Sequence, residues 1–136
     1  LEMVGYRDRK PGSQKYPVYL DATRYPDTGD FIAVIGNQPS AELTHQVTNG
    51  MRNSQSTLPI EQLIVPGSGA EFTEVRLSDH SPFWEHAVPA VMITDTAFFR
   101  NPNYHQASDT LDTLDLEFIR DTTGAVAGFL QRYLAG

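Results

Sequence analysis

In the stretch NPNYHQASDT, residues 101–110, Tyr104, His105 and Asp109 stand beside a proline turn, just after an apolar run. A neutral imidazole can offer one ring nitrogen to a metal, or act as a base, when the other nitrogen is held by a carboxylate or a carbonyl. Asp79, Asp95 and Asp109 could all hold His105, and spacing alone does not choose among them. A lone loop histidine can equally be a polar surface residue. The triplet SDH, residues 78–80, offers Asp79 next to His80, either as chemistry or as a helix-entry cap with a solvated neighbour. Glu2 is the most unusual of these residues, because it sits in the apolar opening LEMVGY. A buried carboxylate must be paired, protonated or bound to a cation, whereas on an edge strand it would simply point to water.

Elements of recognisable type must position these residues. The run FIAVIGN, 31–37, has the form of a strand buried on both faces, and IEQLIVP, 60–66, and AVMITDT, 90–96, look like further strands. Residues 1–6 are expected to form a strand as well. Between them a helix is expected from about 41 to 53, capped by Ser40 and carrying Leu43, Val47 and Met51 at four-residue spacing. SPFWEHA reads as a short helix with Ser81 as cap and Pro82 at its first position. A closing amphipathic helix, from about Asp115 to Leu134, shows Leu116, Ile119, Val126, Leu130 and Tyr133 at helical spacing. Alternating strands and helices imply an α/β layered fold with a mostly parallel or mixed sheet, incomplete at its amino-terminal side. In such sheets ligands bind beyond the carboxyl ends of strands, where Glu2, SDH and YHQASD fall. The long loop 7–30, rich in proline and bordered or filled by Tyr6, Tyr16, Tyr19 and Tyr25, has the length of a lid or binding loop and too many aromatics for disorder.

Composition narrows the chemistry. A chain of 136 residues is one domain in size, 17 acidic residues outnumber 10 lysines and arginines, and the cations form no stripe, so nucleic acid is not expected as a partner. No apolar run is long enough to cross a bilayer, so no membrane partner is expected. The absence of cysteine excludes disulfides, thiolate zinc sites and a cysteine nucleophile, and leaves the compartment open. PGSG at 66–69 lacks the Lys-Ser/Thr pair of a phosphate loop, and no Gly-x-Ser-x-Gly elbow occurs. His45 on a polar helix face and His86 at a helix end read as structural.

Taken in order, LEMVGY, GDFIAVIGN and SDHSPFWEHAVPAVMITDTAFFRNPNYHQASDTLDTLD resemble the carboxyl-terminal half of the zinc-dependent aminopeptidase family, whose relatives include glutamate carboxypeptidases and glutaminyl cyclases. The resemblance covers nearly the whole chain. It implies a peptide substrate and two zinc ions bridged by an aspartate, with a separate glutamate as general base. It also implies that His105 is the last histidine ligand and that Glu2 is the strand-end carboxylate of the other zinc, a position more often aspartate. Asp79 then supports the metal-binding carboxylate, Asp109 belongs to the shell around His105, and Tyr104 stands near the substrate carbonyl. The family's His-x-Asp and Glu-Glu segments have no counterpart here and are expected upstream of Leu1, so these residues alone are expected to be inactive. A sheet missing early strands is expected to self-associate through its exposed edge. A single-zinc glutaminyl cyclase and a metal-free interaction domain are the other readings. A secreted or periplasmic protein is compatible with all of them.

Overall fold

The computed structural model describes residues 1–136. Its regular elements are β1 (Ile32–Asn37), α1 (Ala41–Ser54), β2 (Ile60–Val65), α2 (Ser81–Glu85), β3 (Met92–Thr94) and α3 (Leu116–Leu134). The sheet has the order β2-β1-β3; β1 runs parallel to β2 and antiparallel to β3. This is the mixed sheet with flanking helices expected from the sequence.

The central strand explains the layering. Successive side chains of a strand point to opposite faces, so the run from Phe31 feeds two cores. Ile32 and Val34 join Val47, Met51, Ile60, Ile93 and Phe118 on the face covered by α1 and α3. Phe31, Ala33 and Ile35 join Val65, Val75, Trp84 and Met92 on the other face. Every residue of β1 is buried.

Strand β1 carries a glycine at position 36 because α1 approaches it closely there. A Cβ at Gly36 would collide with the Thr44 hydroxyl, which donates to the Ser40 carbonyl at 2.8 Å. Gly36→Ala should therefore cost about 1–3 kcal/mol of stability, as overpacking of a filled core does. Urea unfolding checks this, and a loss below a few tenths of a kcal/mol would contradict it.

Several local expectations are corrected. Residues 1–6 form no strand: the only pairing there is a single parallel bridge between Glu2 and Thr94, and Met3 follows with φ +51°. Ser40 does precede α1, but its hydroxyl makes no cap. Instead it donates to Asn37 Oδ1 at 2.6 Å and accepts from the Ala90 N–H at 3.1 Å, tying α1 to the segment before β3. His80, not Ser81, precedes α2, which moves Pro82 to its second position. In α3, Asp115 caps the first turn by accepting from the Phe118 N–H at 3.0 Å. The buried face is Phe118, Thr122 and Ala125, while Leu116, Leu130 and Tyr133 of the expected stripe are exposed.

The loop 7–30 is ordered by its own contacts. Asp8 bridges Gly29, Tyr16 packs on Tyr25 at 5.7 Å between ring centroids, and Tyr19 packs on Phe72 at 4.9 Å. It lies over the second core and roofs a cavity there.

Candidate active site and the cavity beside it

Glu2 is held at the sheet by its backbone and its side chain. Its N–H donates to the Ile93 carbonyl at 3.0 Å, and its Oε2 accepts from Ser78 Oγ at 3.0 Å. The SDH triplet therefore does reach Glu2, but through the serine. Asp79 is exposed and takes no part in that contact. His80 turns inward: its Nε2–H donates to the Val75 carbonyl at 2.7 Å and its ring meets Trp84 edge-on at 4.5 Å. Burial lowers its pKa, which keeps the ring neutral and structural.

His105 is exposed and adopts φ +57°, with its ring stacked on Tyr104 at 3.9 Å and 14°. Tyr104 is half-buried and packs in turn on Phe98 at 5.4 Å. Asp109 is exposed and engages its loop through its backbone, whose N–H donates to the Gln106 carbonyl at 3.0 Å. Of the sequence-derived residues, the structure brings Glu2 and Tyr104 to one cavity and lays His105 against Tyr104, whereas Asp79 and Asp109 remain at the surface. His45 meets only Gln62, at 3.2 Å, and His86 faces the Pro82 carbonyl at 2.9 Å, as structural histidines do.

Asp95 has a positioning task instead of a place in the cavity. It is fully buried; Oδ2 accepts from the N–H groups of Gly5 (3.1 Å) and Tyr6 (2.8 Å), and Oδ1 accepts from Ala97 N–H (2.9 Å). One carboxylate thus clamps the chain just after Glu2 to the turn after β3. Arg100 completes the clamp, donating to Gln14 Oε1 at 2.8 Å and to the carbonyls of Phe31 at 2.8 Å and Tyr6 at 3.3 Å. Burial pushes Asp95 up to about 6 and Arg100 down to about 10, against the pull of each on the other.

Backbone strain collects around the same place. Five residues other than glycine have positive φ, and four of them, Met3, Thr96, Ala97 and His105, either line the cavity or adjoin Glu2 or Tyr104. Each such residue costs about 1–3 kcal/mol and persists only where the surroundings over-determine it, which is typical of functional sites.

The cavity has a volume of about 90 Å³. Its floor is the second face of the sheet, including Ala33 and Leu63, and Tyr16 and Tyr25 belong to its roof. A carboxylate oxygen and an imidazole nitrogen are both donors that zinc accepts, so Glu2 and His105 fit the kind of ion the resemblance implies. They supply one donor each. No three of the chain's histidines and acidic residues gather where a single ion could touch them all.

Known proteins share this sequence and fold. A family model described as peptidase family M28 matches residues 9–130. The uncharacterized protein YfbL of Escherichia coli (strain K12) is 42% identical over 132 residues, which are 96% of this chain and 39% of that protein. The LapA aminopeptidase of Legionella pneumophila shares the fold, with a TM-score of 0.59 at 19% identity, and a second LapA structure gives 0.57 at 21%. Each LapA match covers 93% of this chain and 28% of the solved one. The chain thus spans well under half the length of the proteins it matches, and with nine-tenths of its residues inside the family match it belongs to peptidase family M28.

Proposed function

We propose that these residues form the carboxyl-terminal part of the catalytic domain of a two-zinc aminopeptidase, which removes amino-terminal residues from peptides by attack of activated water. The observation that carries this reading is the convergence of Glu2, Tyr104 and the stacked His105 beside one cavity, where backbone strain is also concentrated. Membership of the peptidase family supports the reaction class. Zinc, when bound, supplies the Lewis acidity that activates water and polarises the scissile carbonyl.

The chain's own residues then divide the remaining work. Ser78 holds one oxygen of Glu2 and leaves the other for a cation. The Tyr104 ring fixes the His105 imidazole by stacking, and its phenol is available to donate to the oxyanion that forms from the carbonyl. The Asp95 and Arg100 clamp keeps the two sides of the site in register. The missing ligands and the general base come from other residues of the full-length protein, so the 136 residues alone hydrolyse nothing.

Zinc stoichiometry of the full-length protein, measured with amino-acid release from short peptides, tests this directly. Two zinc ions per chain and stepwise release of amino-terminal residues are expected. One tight zinc and cyclisation of amino-terminal glutamine would assign a glutaminyl cyclase instead. No zinc and no turnover would leave a non-catalytic member of the family.

A further inference from the structure

The cavity beside Glu2 contains a charged group that the reaction above does not use. Strand register places Glu61 opposite Ala33, Ala33 opposite Thr94, and Thr94 opposite Glu2. Directly paired residues project to the same face of a sheet, so these four form one row across the cavity floor, and all four line it. Three strand spacings separate the Cα atoms of Glu61 and Glu2 by about 14 Å. Between the two carboxylates the surface is mostly apolar, built from Ala33 and Leu63 below and Tyr16 above.

Glu61 is half-buried and has no ion pair. The hydroxyl of Tyr16, in the roof, donates to the Pro26 carbonyl at 2.5 Å and so does not donate to Glu61. Arg52 exerts an attraction on Glu61, but its guanidinium donates to the Ile60 carbonyl at 2.6 Å. Burial accordingly raises the Glu61 pKa, the sign of a carboxylate short of compensation. The other charged groups lining the cavity are Glu2, Glu74 and the exposed Lys15, so its balance is negative. A group that enters from the Glu2 end and reaches Glu61 needs an apolar stem and a cationic tip. At about 10–15 Å³ for each water-sized group, the cavity of about 90 Å³ holds roughly six to nine of them, enough for the five heavy atoms of a lysine side chain.

We propose that this cavity receives the side chain of the substrate's amino-terminal residue, that it selects lysine or arginine, and that Glu61 is the specificity-determining residue that pairs with the cationic tip. This rests on the aminopeptidase reading of the site. The apolar walls exclude water from the stem.

The test uses the zinc-loaded full-length protein with the 4-nitroanilides of lysine and norleucine, which share a stem and differ in the ammonium group. The wild type should prefer lysine, and Glu61→Gln should reduce the lysine-to-norleucine ratio of kcat/KM by about 10- to 100-fold, the size of a hydrogen bond to a charged group. Norleucine turnover should hardly change. A second readout needs no turnover: calorimetric titration of the metal-free protein with lysinamide should show binding that weakens at least tenfold in Glu61→Gln. A ratio unmoved by the substitution, with norleucine still cleaved, overturns the proposal and leaves Glu61 as a charge that guards an edge strand. If neither anilide is cleaved, the aminopeptidase reading fails, and lysinamide binding that depends on Glu61 still separates the pocket's selectivity from the reaction. Absence of that binding as well overturns both.

Discussion

Replacing Asp95 by alanine should destabilise the protein by about 3–5 kcal/mol at pH 7, because it breaks a buried charged cluster by removing one partner. The N–H groups of Gly5, Tyr6 and Ala97 would lose their acceptor, and Arg100, 6% exposed, would remain in the interior without the strongest of the attractions on its charge. That is a large share of the 5–15 kcal/mol that holds a typical domain together. Asp95→Asn should recover less than half of the loss, since an amide offers one acceptor oxygen and turns an NH2 group toward backbone donors. The pH dependence separates this cluster from ordinary packing. Burial raises Asp95 from the ordinary 3.8 to about 6 in the folded state. On acidification the folded protein therefore takes up this proton before the unfolded chain does. The stability contributed by protonation is fully present below pH 3.8 and is lost as pH rises through about 6. The stability difference between wild type and Asp95→Ala should consequently be larger at pH 4 than at pH 7.5. Urea unfolding at both pH values checks it; a difference that is flat across the window, or a loss below 1 kcal/mol at pH 7, would show that Asp95 is dispensable.

How much of this was legible in the sequence depended on whether one segment or several decided the outcome. The strand β1 and the existence of α3 follow from local pattern, because an apolar run too short for a helix and closed by Gly36 and Asn37 favours a strand, and a helical period sustained over 19 residues favours a helix. Which face of α3 is buried does not. The segment LEFIRDTTGAVAGFLQRYL carries overlapping stripes, and the close approach of α1 selects the small residues Thr122 and Ala125 over the larger Leu130 and Tyr133. A Cβ at Gly50 of α1 would collide with Phe129, which shows how tightly these helices meet. The candidate site shows the same division. Glu2, Tyr104 and His105 stood out by residue type, but the contact to Glu2 comes from Ser78, a hydroxyl that attracts no notice beside Asp79 and His80. Glu61 looked like an ordinary residue of a strand until register placed it in the row with Glu2. The Asp95 and Arg100 clamp draws on Gln14, 86 residues from Arg100, and no local pattern reports such a partner.

Substitutions at Tyr104 and His105 in the full-length enzyme should separate positioning from transition-state stabilisation. Tyr104→Phe removes only the phenolic oxygen and keeps the ring on which His105 stacks at 3.9 Å. If the phenol donates to the developing oxyanion, kcat should fall by about 10²–10³-fold, as when one oxyanion donor is lost, while KM and bound zinc stay near their original values. Tyr104→Ala also removes the stacking surface, so His105 loses the contact that holds its exposed ring at an otherwise unfavourable backbone conformation. Zinc should then be lost on dialysis as well as activity, because displaced metal-site supports typically cost about 10- to 100-fold in affinity. On the two-zinc reading proposed above, His105→Ala should go further and abolish retention of one ion. The ordering of zinc content, Tyr104→Phe above Tyr104→Ala above His105→Ala, is the informative result, measured after exhaustive dialysis alongside kcat. Full zinc retention in His105→Ala would remove this histidine from the metal site. An unchanged kcat in Tyr104→Phe would instead leave the tyrosine as a platform for the imidazole, whose contribution ends with the stack.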